Sequence, residues 1–149
     1  MAYLIVLIVL ILDQITKLWA INSLKPIESI AVIPKIFHLT YVENSGAAFG
    51  ILQNQKLFFI FATTLIVVGI IIFISKNKKL FLTMKLGLSL IMAGAIGNLI
   101  DRIRFSYVVD FFDFKIWPVF NIADISIVIG ALLVSYLIIR YDSFSPKEL

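Results

Sequence analysis

Between Leu57 and Ile74 the chain carries no charged residue over a length that, wound as a helix, crosses the hydrocarbon of a bilayer. A second apolar run, Ala2 to Leu12, has the length of a secretory signal core. No Lys or Arg precedes it, however, and no small-residue cleavage site follows before Asp13 and Lys17, so the expectation is a retained helix reaching about residue 22. Further helices are predicted over about 86–100 and 121–139. With 61% hydrophobic residues and a mean hydropathy of +1.05, a chain of 149 residues is too apolar for a soluble globule. The sequence therefore predicts an all-α integral membrane protein, a single membrane-embedded domain of four transmembrane helices joined by a segment 23–56 and a loop 101–120.

The segment from Ser23 to Lys56 differs in character. Pro26 and Pro34 break helix, and Ile30 to Val42 is rich in β-branched and aromatic residues, which predicts a small extended subdomain outside the membrane. It closes on YVENSGAAFGILQ, where Asn44, Ser45 and Gly46 are turn formers and Gly46 to Gly50 allows close backbone approach. Asn44 could present its amide to a ligand, but a hairpin-to-helix corner would use the same residues. Lys76, Lys78, Lys79 and Lys85 crowd the connector between the second and third helices, which places that end and both termini in the cytoplasm by the positive-inside tendency. The tail from Asp142 is expected to be loosely held.

Polar chemistry concentrates between Gly94 and Asp124: Asn98, Asp101, Arg102, Asp110, Asp113, Asn121 and Asp124 lie between strongly apolar runs. A charge at membrane depth lacks water, so such residues are functional candidates. Alternating spans put Asp13, Asn98, Asp101 and Asp124 towards one membrane face, together with the segment 23–56. With no cysteine and one histidine, His38, thiol nucleophiles, thiolate zinc sites and disulfides are excluded, and Ser106 and Ser126 sit in no nucleophile context. Nothing suggests a nucleic-acid surface: the net charge is only +4, without a basic face interleaved with aromatics.

Carboxylates remain. Asp13 and Lys17, four apart, read as a structural ion pair with Lys17 snorkelling to the interface. Asp101 reads as paired with Arg102 or Arg104 at a helix end, while Arg102 could hold a substrate carbonyl or a lipid phosphate. Asn121 and Asp124 match a capping arrangement behind Pro118, yet their surroundings are apolar for a surface cap. Asp110 stands in an aromatic and aliphatic run that solvates it poorly, with Asp113 one helical turn on as the solvated member of the pair. Two aspartates facing one another, Asp110 and Asp124, would share a proton and work as base and acid on a water and a carbonyl. A proton-coupled transporter would need polar groups reaching both faces, and a scaffold would tolerate Asp→Asn changes at both positions.

Five motifs, DQITK (13–17), ENSGAAFG (43–50), GNLIDR (97–102), VVDFFDF (108–114) and FNIAD (120–124), resemble in content and order the lipoprotein signal peptidases, also called signal peptidase II. The resemblance implies a bacterial inner-membrane aspartyl endopeptidase, without metal or cofactor. It would cleave diacylglyceryl-modified prolipoproteins just before the lipid-bearing cysteine, on the extracytoplasmic side. It implies Asp110 and Asp124 as catalytic, and Asn44 and Arg102 in contact with substrate or the peptide antibiotic globomycin. Asn98 and Asn121 would support the dyad or the substrate, and Asp13, Lys17, Asp101 and Gly46 would support the site. Segment 23–56 would form the family's small β-cradle with a short helix at the membrane surface. Membrane lipids are expected partners and a monomer the expected state.

Overall fold

The computed structural model describes residues 2–46 and 52–142. The small-residue stretch after Gly46 and the tail beyond residue 142 lie outside them, and so do the expectations attached to both. Four helices are long and apolar enough to cross a membrane: α1 (Ala2–Trp19), continued by a π turn over Ala20–Leu24, α2 (Lys56–Lys76), α3 (Leu82–Phe105) and α4 (Ile122–Asp142). Their mean hydropathies rank them by position. α2, at 3.0, has 6% of its span buried, whereas α3, at 1.4, has half of its span buried and packs against all the others. The least apolar helix is central because it carries the glycines and polar groups that the others cover.

Close approach of α3 and α4 rests on small residues. A Cβ built on Gly94 would overlap the carbonyl oxygen of Ala123, and one on Gly130 would come within 2.6 Å of the Gly87 carbonyl oxygen. Without water between helices, such backbone proximity replaces the hydrophobic drive as the source of packing energy. On the other side of α3, Gly97 leaves room for the Asp13 carboxylate of α1, which a Cβ would approach to 2.5 Å.

The third helix extends well beyond the expected Ile100, so Asp101 and Arg102 lie in its last turns and not in a loop. It stops at Ser106, whose φ of 73° is left-handed and whose N–H reaches the Arg102 carbonyl at 3.1 Å. The loop expected over 101–120 then contains a strand. β1 (Ser29–Ile33) and β2 (Phe37–Asn44) form an antiparallel hairpin within the segment expected to be extended, and β3 (Val108–Asp113) pairs antiparallel with β2, giving a three-stranded sheet in the order β1-β2-β3. No surface helix occurs between Ser29 and Gln55 among the described residues. Val109 and Phe111 of β3 pack with Ala20 and Leu24 of the π turn in one buried cluster, fastening the sheet to the end of α1.

Replacing Gly94 by Ala should force α3 and α4 apart and lower stability by about 1–3 kcal/mol, the usual cost of overpacking. Gly69→Ala on α2, where nothing lies within 4 Å of the new methyl, serves as the control. Thermal unfolding in detergent reads both, and equal midpoints would remove the close crossing from the account.

Candidate active site

Strand alternation decides what β3 presents. Asp110 stands opposite Val42 of β2, so it shares a face with Asn44, two residues on, and Asn44 Nδ2 donates to Asp110 Oδ2 at 2.9 Å. The Asn44 amide is held in that sense because its Oδ1 accepts the Gly46 N–H at 3.0 Å in a local turn. Asp113, three residues along the strand, falls on the other face. It is not the solvated partner one helical turn away that was expected. Its carboxylate is covered by Thr40 (2.8 Å) and Lys115 (2.6 Å), and burial, which raises its pKa, is outweighed by these partners, so that it lies below the usual carboxylate range.

Asp124 occupies the first turn of α4. Its Oδ2 accepts the Asn121 N–H at 3.2 Å while its own N–H donates to Asn121 Oδ1 at 2.9 Å, a reciprocal cap that fits the expected arrangement. The same two residues reach across to other elements. Asn121 Nδ2 donates to Asp110 Oδ1 at 2.6 Å, and Asn98 Nδ2 of α3 donates to Asp124 Oδ1 at 2.8 Å. Capping and site-building are therefore one structure. Asn44, Asn98, Arg102, Asp110 and Asp124 line a cleft of about 340 Å³, closed on one side by Trp117, Pro118 and Val119.

Beneath the cleft lies a buried charge cluster. Lys17 Nζ, in a residue 2% exposed, sits 3.0 Å from Asp13 and 2.9 Å from Asp101, and also donates to Asn98 Oδ1 at 2.9 Å. Lys17 pairs with Asp13 as expected but does not snorkel: a second carboxylate, that of Asp101 on α3, holds it inside. Asp101 in turn is bound to Lys17 and accepts the Val109 N–H at 3.1 Å, in place of the expected pairing with Arg102 or Arg104. Gln14, which the sequence reading passed over although it stands within DQITK, bridges Asp13 (3.2 Å) and Asp101 (3.1 Å). Asp13 also accepts the Ala123 N–H at 3.0 Å, so one carboxylate on α1 anchors the start of α4.

Arg102 neither pairs with Asp101 nor projects freely. Its Nη2 donates to the Gly46 carbonyl at 3.0 Å and its guanidinium lies 4.5 Å from the Phe59 ring centre, which fixes the turn after β2 against α2 and α3. At Asp110, on the strand, burial and then the nearby Asp124 carboxylate push the pKa up from 3.8 to about 7, against the lowering effect of the Asn44 and Asn121 amides.

Fold and site define a multi-pass membrane protein whose buried polar groups gather around a carboxylate pair at one end of a helix bundle. The sequence profile of the family described as signal peptidase (SPase) II matches residues 5–140, and the chain belongs to that family. A protein of Halothermothrix orenii named lipoprotein signal peptidase is 52% identical, with 92% of this chain and 94% of that protein covered. One of the same name from Clostridioides difficile is 45% identical over 97% of this chain and 99% of its own length. A solved structure described as a bacterial membrane enzyme, obtained by the in meso method at 2.3 Å resolution, superposes with a TM-score of 0.88 at 38% identity. It covers 99% of this chain and 92% of that one.

Lys17→Met keeps the apolar stem but leaves two buried carboxylates without their counter-charge, and should cost about 3–5 kcal/mol of stability. An unchanged thermal midpoint in detergent would show that the cluster is not holding the helices together.

Proposed function

We propose that Asp110 and Asp124 form the catalytic dyad with which this signal peptidase II removes the signal peptide from diacylglyceryl-modified prolipoproteins, cutting before the lipid-bearing cysteine. The observation that carries the proposal is the shared Asn121, whose side chain binds Asp110 while its backbone N–H binds Asp124, in one cleft. Carboxylates held so close do not both ionise readily and act as acid and base.

The asymmetry of the pair assigns the roles. Asp124 stands at a helix amino terminus and accepts N–H bonds at both oxygens, a setting that suits it to the part of the base. Burial favours the protonated form of Asp110. Asp124 then takes a proton from a water in the cleft, the resulting hydroxide attacks the scissile carbonyl carbon, and Asp110 gives its proton to the carbonyl oxygen. Collapse of the tetrahedral intermediate breaks the C–N bond, the proton from Asp124 passes to the departing amine, and the gem-diol returns a proton to Asp110. Asn98 and Asn121 hold the dyad, and Asn44 and Arg102, beside it, contact the substrate chain, with globomycin-type peptides competing for the same cleft.

A signal peptide is an apolar helix and the diacylglyceryl group is lipid, so the substrate reaches the dyad sideways through the bilayer while its acyl chains stay in lipid. The lysine cluster at the far end of the bundle supports cytoplasmic termini in a bacterial inner membrane and a cleft facing the extracytoplasmic side.

Asp110→Asn and Asp124→Asn should each lower cleavage of a diacylglyceryl-modified prolipoprotein by at least about 10²-fold with the fold intact, since general acid–base groups contribute on that scale. Activity surviving in either variant would remove that residue from the mechanism. In the parent, cleavage should decline as pH rises past about 7, where Asp110 loses its proton. Asn44→Ala removes a donor that stabilises the charged form, so it should slow cleavage and move this decline to higher pH; a shift to lower pH would contradict the assignment.

A further inference from the structure

At the end of the bundle away from the carboxylate cleft, α1 and α2 each pack on α3 but hardly touch one another. They leave a notch of about 550 Å³, floored by α3, whose walls are Tyr3 and Ile5 of α1, Ile74 of α2 and Leu86 of α3. Its rim is cationic. Lys78 and Lys85 line it, and among the described residues neither ammonium is ion-paired with a carboxylate. Lys85 Nζ spends one proton on the Lys78 carbonyl at 3.1 Å, which ties the connector to the first turn of α3 and leaves its other two for a ligand. The amino end of α3 opens on the same place: Leu82 lines the notch, and Phe81 before it provides no side-chain cap for the first N–H groups.

Apolar walls open to lipid beneath a rim of two ammonium groups and a helix amino terminus match an amphiphile with an anionic head. We propose that the notch holds one anionic phospholipid, with its phosphate at Lys78, Lys85 and the start of α3, and an acyl chain along Tyr3, Ile5, Ile74 and Leu86. The occupied notch joins α1 to α2, whose direct contacts with one another are sparse. A free phosphate would meet the same rim but gain nothing from the walls. This site is independent of the carboxylate cleft and does not rest on the chemistry proposed there.

The test is lipid retention by the purified full chain in neutral detergent, read by native mass spectrometry with phosphatidylglycerol and phosphatidylcholine of identical acyl chains, and with inorganic phosphate as competitor. The parent should hold one phosphatidylglycerol about tenfold more strongly than phosphatidylcholine, in keeping with a lysine pair at an anionic head. Lys78→Gln with Lys85→Gln should abolish the preference. Lys76→Gln with Lys79→Gln, an equal loss of charge outside the notch, should keep it, and prolipoprotein cleavage by both double variants reports intact folding. Equal loss in both double variants would mean diffuse attraction to the connector and overturn the proposal, as would the absence of any headgroup preference. Displacement of the lipid by millimolar phosphate would overturn it as well, by making the site an anion site only.

Discussion

A single ammonium group inside the bundle sets the terms for the rest of the structure. Lys17 lies between Asp13 and Asp101, with Gln14 closing the remaining side, and none of the charged members is more than 2% exposed. Two carboxylates share the one ammonium, and each also accepts a backbone N–H: Ala123 donates to Asp13 and Val109 to Asp101. Those two amides stand one residue before Asp124 and Asp110. The buried pair thus does more than bind α1 to α3. It fixes the two chain positions from which the proposed dyad projects, one at a helix start and one in a strand. Buried ion pairs gain little net stability over apolar replacements, and the value of this one lies in that placement.

The same lysine also settles an orientation. An asparagine amide can face either way, and the wrong sense would point an oxygen at a carboxylate. At each of the three asparagines a donor occupies the oxygen: Lys17 at Asn98, the Asp124 N–H at Asn121 and the Gly46 N–H at Asn44. The NH₂ groups are left for Asp124 and Asp110. Reversal of any one would leave a donor and a carboxylate facing their own kind, a cost paid twice at low dielectric.

The four helices were legible because an apolar run long enough to span a bilayer has few other uses, and the polar cluster stood out against them. What stayed hidden depends on partners distant in the chain. Lys17 reads as a snorkelling residue until Asp101, on another helix, is known to face it. Asp101 reads as the partner of its neighbours Arg102 and Arg104 for the same reason. VVDFFDF shows no alternation of apolar and polar residues because both faces of β3 are covered, one by the π turn after α1 and the other by the cleft, so a strand looked like helix or loop. Asn44 was ambiguous from spacing, since a turn and a ligand-facing amide call for the same residue; in the structure it serves as both.

Register is the last link. Because a strand alternates, sliding β3 by one residue against β2 would replace Asp110 at the cleft with Val109 or Phe111 and drive the carboxylate into the apolar cluster of Ala20 and Leu24. Three features resist that slip. The irregularity between Leu39 and Val42 gives the pairing a single fit, the Val109 N–H is held by Asp101, and Phe112 exchanges backbone hydrogen bonds with Phe120, at 2.8 and 3.1 Å, immediately before Asn121. The Phe112–Phe120 bridge couples the strand to the helix start directly, so a displacement of β3 carries the residue that caps α4 with it. Asp110 and Asp124, fourteen positions apart on elements of different kind, are for that reason tied to one another, as the proposed sharing of a proton between them requires.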